Sequence, residues 1–263
     1  MYLIDTHAHL DMLKNMRPAE AVEKSAQEGV KYIINPGSSI KGSKKAVSYA
    51  KELPGVFASV GVHPHDAGKV GDKDIKLLES MILGDDGIRN EKVVAVGESG
   101  FDFFRNLSPR PDQERAFRAH IELAKKCSLP LIIHNRDADD ETYRVLKEYA
   151  GKGSLKGVVH CFSGDMDFAA KCLELGLYIS FTGVITFPNA KKTLDVVREV
   201  PLERIFLETD SPFLAPQPKR GRENFPGYVK YVAEKIAEVK EATFEEIAEK
   251  TSANAVQFFS LKI

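Results

Sequence analysis

The sequence predicts an α/β fold, a (β/α)8 TIM barrel forming a single domain over residues 1–263. Three observations predict it. Short β-branched or apolar runs alternate with longer segments of helical period along the whole chain. There are eight such runs, and the length of 263 residues is close to the roughly 250 typical of this barrel. Such alternation calls for a parallel sheet, because each parallel connection must cross back through a helix. An open, doubly wound sheet is the competing arrangement. It loses its main support because no G-x-G-x-x-G follows the first run and no Walker A glycine run with Lys and Ser/Thr occurs.

Taken in order, the strands are predicted over residues 2–5, 31–35, 56–60, 93–96, 131–133, 157–159, 177–179 and 205–207. Helices are predicted between them over 18–28, 39–52, 73–83, 112–127, 137–149, 166–175 and 189–198, with two more over 227–239 and 243–258. Pro111 suits the first turn of the fourth helix, and Leu129-Pro130 ends that helix and hands over to a strand. Gly176 suits the end of the helix that begins near Asp165. Residues 211–226 hold four prolines, at 212, 216, 218 and 226, and read as a long ordered loop. Following the last strand, that loop is expected to lie over the catalytic face.

Composition narrows the class. Hydrophobic residues at 43% and charged residues at 29% fit a soluble globular protein. The longest apolar stretches, such as residues 129–133, fall far short of the roughly 18 needed to span a membrane. The N-terminal run lacks a basic region and long apolar core, so it is expected to belong to the fold and not to a secretory signal. Cys127, Cys161 and Cys172 lack C-x-x-C spacing and cannot all pair, which suits a reducing, cytoplasmic setting. A net charge of −1 neither supports nor excludes a nucleic-acid partner.

The chemistry gathers at the strand ends. In Asp5-Thr6-His7-Ala8-His9 the alternation of an extended chain points residues 5, 7 and 9 to one side, so two imidazoles converge. Glu98, His134, His160 and Asp210 each follow one of the predicted strands. Singly, each has a plain structural reading: a satisfied histidine, a turn cap, an Asx-turn before Ser211-Pro212. Jointly they fall on one rim, where barrels of this kind build active sites. Six donors exceed the usual three protein ligands of a single catalytic zinc and are enough for two divalent ions that activate a water. Glu98, with two oxygens, is expected to bridge, and Asp210 to serve as general base. The imidazoles favour zinc, manganese or iron over an all-oxygen magnesium site.

A second tier lies in Gly61-Val62-His63-Pro64-His65 and in Asn135-Arg136, with His63, His65, Asn135 and Arg136 as candidate substrate contacts. Arg suits bidentate recognition of phosphate. His120, within a helical segment, reads as structural or exposed, and Cys161 as directed away from the ligands. A serine nucleophile is unsupported, since Gly97-Glu98-Ser99-Gly100 is not G-x-S-x-G. No organic cofactor is expected.

These motifs resemble the TatD family of metal-dependent deoxyribonucleases, among the amidohydrolase-like barrel hydrolases. The resemblance runs through residues 4–10, 61–65, 97–102, 133–136, 160–164 and 208–212 and so covers almost the entire chain. It implies that His7, His9, Glu98, His134, His160 and Asp210 are the metal ligands, with Glu98 bridging. It also implies a DNA substrate attacked at strand ends, with 3'-to-5' exonuclease activity and, in some members, cleavage at abasic sites. It adds magnesium to the candidate ions. Two departures stand out: the usual G-E-I-G-L-D-Y reads Gly97-Glu98-Ser99-Gly100-Phe101-Asp102-Phe103, and the late R-N-E-P reads Glu223-Asn224-Phe225-Pro226. The rival readings are an amidohydrolase, lactonase or phosphoesterase for small molecules on the same site, and a non-catalytic nucleic-acid-binding scaffold.

Overall fold

The computed structural model describes residues 1–84, 87–150 and 155–263. Its strands are β1 (Leu3–Asp5), β2 (Val30–Asn35), β3 (Val56–Val60), β4 (Val93–Asp102), β5 (Leu131–Arg136), β6 (Gly157–Val159), β7 (Tyr178–Phe181) and β8 (Ile205–Leu207). The helices are α1 (Pro18–Gln27), α2 (Ile40–Glu52), α3 (Asp72–Leu83), α4 (Arg110–Cys127), α5 (Asp139–Ala150), α6 (Met166–Glu174), α7 (Lys191–Glu199), α8 (Val229–Lys240) and α9 (Phe244–Phe259). The strands pair in sequence order, each parallel to the next. The ring closes between the extensions of β1 and β8: Thr6 N donates to Leu207 O at 3.0 Å, Asp210 N to His7 O at 2.9 Å and His9 N to Ser211 O at 2.8 Å. The fold is a (β/α)8 TIM barrel.

Local chemistry sets the helix ends. Ser39 accepts from Gly42 N at the start of α2, Asp165 from Phe168 N at the start of α6, and Thr243 and Glu246 form a reciprocal capping box on α9. Pro111 lies in the first turn of α4, and Gly176, at φ +75°, turns the chain out of α6.

The largest core lies between the strands and the surrounding helices. A second cluster takes Ile4, Ile34, Phe57, Val94, Ile132, Val158 and Phe206 from seven strands, with Tyr178 of the eighth against it. Phe258 and Phe259 of α9 complete it, closing that end of the barrel. On their strands Val94, Ile132, Val158 and Phe206 lie two to four residues before Glu98, His134, His160 and Asp210. The apolar packing is thus the floor on which the polar rim stands. Truncating a buried ring such as Phe206 to Ala removes about 3–5 kcal/mol.

β4 is longer than the sequence predicts, running on to Asp102. Its ladder with β5 slips between Val96 and Ser99, and such a bulge re-aims the side chain it carries, here Glu98. Glycine is required on both sides. Gly97 has φ +123° and Gly100 φ +149°, and a Cβ on Gly100 would stand 2.0 Å from the carbonyl oxygen of His134. The glycines therefore let β4 press against β5 and bring Glu98 and His134 together.

Candidate metal centre

All six proposed ligands meet at the C-terminal rim, around Glu98. Glu98 Oε2 stands 3.4 Å from His7 Nε2 and 3.7 Å from His9 Nε2. His7 and His9 present their Nε2 atoms 3.3 Å apart, and Asp210 Oδ1 lies 3.5 Å from that of His9 and 3.9 Å from that of His7. The other oxygen, Glu98 Oε1, lies 2.7 Å from His134 Nδ1 and 2.8 Å from His160 Nε2. One carboxylate therefore serves two donor sets, one from the β1 and β8 extensions and one from β5 and the end of β6.

The residues fit metal ions. Imidazole nitrogens 3.2–3.3 Å apart, all turned on the same carboxylate, satisfy one another poorly by hydrogen bonding and well by sharing a cation. The electrostatics agree. Burial lowers the His7 pKa, and the nearby His160 lowers it further. At His9, His134 and His160 burial opposes the proton, yet Glu98 with Asp210, Asp102 and Glu208 outweighs it and raises the pKa. Burial likewise works to raise Glu98, but the charges of His160 and His63 and hydrogen bonds from His134 and His160 hold it well below the usual carboxylate range. The cluster draws positive charge inward, and imidazole nitrogen with carboxylate oxygen is a donor set that fits a divalent metal ion.

His63 also enters the centre. Its Nε2 stands 3.4 Å from Glu98 Oε1 and 3.2 Å from His134 Nδ1, so His63, Glu98 and His134 have the spacing of a metal triad. The hydrogen bonding favours another role. His63 Nδ1 accepts from His65 N at 3.1 Å, and burial lowers its pKa to about 4, so the neutral ring carries its proton on Nε2. It therefore points its Nε2–H at Glu98 Oε1, the oxygen that His134 and His160 also approach. The Val62 N–H upstream of it is held by His120 Nε2 at 3.0 Å, and His120 Nδ1 donates to Ala116 O at 2.7 Å. His120 is thus fully buried and structural.

The remaining candidates divide. His65 Nε2 donates to Asp102 Oδ2 at 2.8 Å, and that oxygen stands 3.4 Å from His134 Nε2. Arg136 is exposed beside the centre, its guanidinium 4.1 Å from the Phe104 ring. Asn135, on the opposite face of β5 from His134, is taken up by α5: its Nδ2 donates to Asp139 at 2.6 Å and its Oδ1 accepts from Thr142 at 2.6 Å. Both ends of that amide are thus engaged by α5, each through one hydrogen bond. The Cys161 thiol lies 3.8 Å from Thr182 Oγ1, and burial together with Asp210 and Glu208 pushes its pKa well up, which suits no nucleophile.

Sequence reasoning passed over three buried carboxylates. Asp5 accepts from His7 N at 3.2 Å, Thr209 N at 3.0 Å and Thr209 Oγ1 at 2.5 Å, pinning the two chain ends that carry His7 and Asp210. Glu208 accepts from Cys161 N and Ser180 Oγ and stands 3.5 Å from His160 Nδ1. Asp102 does the same for His134. Each lies two residues before, or four after, a proposed ligand along the chain, and that spacing is the signal that could have found them.

A family model described as TatD related DNase matches residues 4–260. The chain belongs to the TatD family. This TatD-family chain is 42% identical over 260 residues to the uncharacterized metal-dependent hydrolase YabD of Bacillus subtilis, covering 98% of the chain and 99% of that protein. It is 35% identical to the 3'-5' ssDNA/RNA exonuclease TatD of Edwardsiella piscicida, with 92% and 93% covered. Among solved structures, the TatD homologue YJJV of Escherichia coli K12 superposes with a TM-score of 0.87 at 31% identity, covering 98% of both chains. The TatD-family chain is a metal-dependent hydrolase.

Proposed function

We propose that this hydrolase cleaves phosphodiesters of DNA, as a 3'-to-5' exodeoxyribonuclease that uses two divalent ions held by His7, His9, Glu98, His134, His160 and Asp210. The observation that carries this reading is the division of Glu98, Oε2 turned to one donor set and Oε1 to the other. Ions bound there supply Lewis-acid charge to a phosphoryl oxygen and acidify the attacking water. The chain's own groups do the rest. Asp210 is held ionised: burial opposes this, but a hydrogen bond from His9 and the charges of His7 and His160 prevail, so its carboxylate accepts the proton from the water. His63 offers Nε2–H to a phosphate oxygen, and Arg136 adds a guanidinium on the same rim. His65 holds Asp102, which orients His134.

The relative named a 3'-5' ssDNA/RNA exonuclease supports strand ends as the substrate. The test is turnover of oligonucleotides labelled at the 5' end, measured with magnesium, manganese and zinc. Stepwise shortening from the 3' end is expected, and its loss in Glu98→Ala. Hydrolysis confined to lactones or cyclic amides would overturn the assignment in favour of a small-molecule amidohydrolase. DNA binding without turnover under any metal would favour the scaffold reading.

A further inference from the structure

The segment between β4 and α4, residues 103–109, carries two large apolar side chains in the open: Phe104 is 60% exposed and Leu107 66%. Isolated apolar side chains are common on surfaces, but this segment is not loose. Asp102 Oδ1 accepts from Arg105 N at 2.7 Å and Asp102 O from Asn106 N at 3.1 Å. Gln113 Nε2 donates to Ser108 O at 2.8 Å and to Asn106 Oδ1 at 3.3 Å. Ser108 Oγ donates to His65 O at 2.8 Å and accepts from Gly68 N at 3.1 Å. Six hydrogen bonds hold the segment, three through its backbone and three through the Asn106 and Ser108 side chains, while the ring of Phe104 stays exposed.

The ring is also placed. The Arg136 guanidinium stands 4.1 Å from its centroid, and Arg136 lies two residues beyond His134 on β5. Asp102, which pins the loop, is 3.4 Å from His134 Nε2. An open aromatic ring beside the guanidinium of Arg136 matches a flat π-system joined to phosphates. Bases of a duplex already stack on one another, whereas those of an unpaired strand leave a face free.

We propose that Phe104, backed by Arg136, is a stacking platform for an unpaired nucleobase next to the scissile phosphate. This rests on the phosphodiesterase reading above. The test compares kcat/KM of the metal-loaded protein on a single-stranded oligonucleotide and on one of equal length whose last three residues are abasic. Base–aromatic stacking implies a preference of about 5- to 100-fold for the base-bearing strand, expressed in KM. Phe104→Ala should raise that KM and erase the preference, and Phe104→Trp should keep it. The abasic strand, with no ring to stack, should be cut alike by all three proteins. A wild-type enzyme that cuts both strands equally, or a Phe104→Ala enzyme that keeps the preference, overturns the platform alone. A wild-type enzyme that cuts neither strand overturns the phosphodiesterase reading and the platform with it.

Discussion

The two halves of the centre share Glu98 and are built differently. His7 and His9 come from one extended segment and meet Asp210 across the β1–β8 junction, their geometry set by backbone hydrogen bonds and by Asp5. His134 and His160 come from separate strands, and among the described residues only these two of the four have a carboxylate within 4 Å of the nitrogen turned away from the centre, Asp102 at 3.4 Å and Glu208 at 3.5 Å. The far nitrogens of all four histidines lack a hydrogen-bond partner among the described residues, so Asp102 and Glu208 act on His134 and His160 as nearby charges. A carboxylate behind an imidazole fixes the ring and strengthens it as a donor. The difference teaches that the two donor sets are unequal: on the two-ion proposal, the β5–β6 half, with a carboxylate behind each imidazole, is expected to hold its ion more tightly than the β1–β8 half.

The largest effect should come from removing what the halves share. Glu98→Ala is expected to cost both ions and more than about 100-fold in activity, beyond the roughly 10- to 100-fold of an outer partner; metal content by mass spectrometry checks this. Retention of one ion at wild-type affinity would show that the halves do not depend on a common bridge. Next, Asp102→Asn should weaken only the β5–β6 ion, by about 10- to 100-fold in competition with a chelator. Equal loss from both halves would remove the asymmetry.

His120 shows what burial does to a histidine without a carboxylate, and there the effect is one of stability. Burial lowers its pKa to about 4, against a backbone hydrogen bond to Ala116 that raises it. A folded pKa below the unfolded value near 6.5 means that the native state binds fewer protons between those limits. The contribution is therefore complete above about pH 6.5 and lost as pH falls toward 4, amounting to roughly 3 kcal/mol at most. Denaturant unfolding of wild type and His120→Gln at pH 7 and 4.5 reads it, the variant showing the shallower decline. The smallest effect concerns Glu223, whose carboxylate accepts from Lys14 N and Asn15 N, both at 2.9 Å, and ties the loop after β1 to the loop after β8. Glu223→Ala should cost less than about 1 kcal/mol, a fall of about 2 °C in Tm, because those bonds are open to water. Metal content should not change.

Much of this was legible because the strands are buried on both faces and read as unbroken apolar runs, so β3, β6 and β8 fall where the sequence places them. The six-residue cluster was legible for a related reason: in a parallel barrel every strand end reaches the same rim, and chain order alone brings Glu98 and Asp210 together. What escaped depends on local departures. β4 continues past Val96 only because Gly97 and Gly100 admit backbone angles that other residues avoid, and no apolar pattern announces that. The proton on His63 is decided by a neighbour's N–H, and the engagement of Asn135 by the first turn of α5. Neither is a property of periodicity.

The junction between the β1 and β8 extensions has a consequence for how the molecule comes to exist. Thr6 Oγ1 meets Leu207 O across 201 positions of sequence, so these contacts close a loop that takes in most of the chain and carry the entropic cost of closing it. The donors of one half-centre, His7, His9 and Asp210, straddle that seam and cannot converge before the ring is shut. On the two-ion proposal, an ion seated there would bind the finished ring and not the open chain, and by mass action would favour it. The half-centre thus works as a clasp: its occupancy reports that the first strand has found the last.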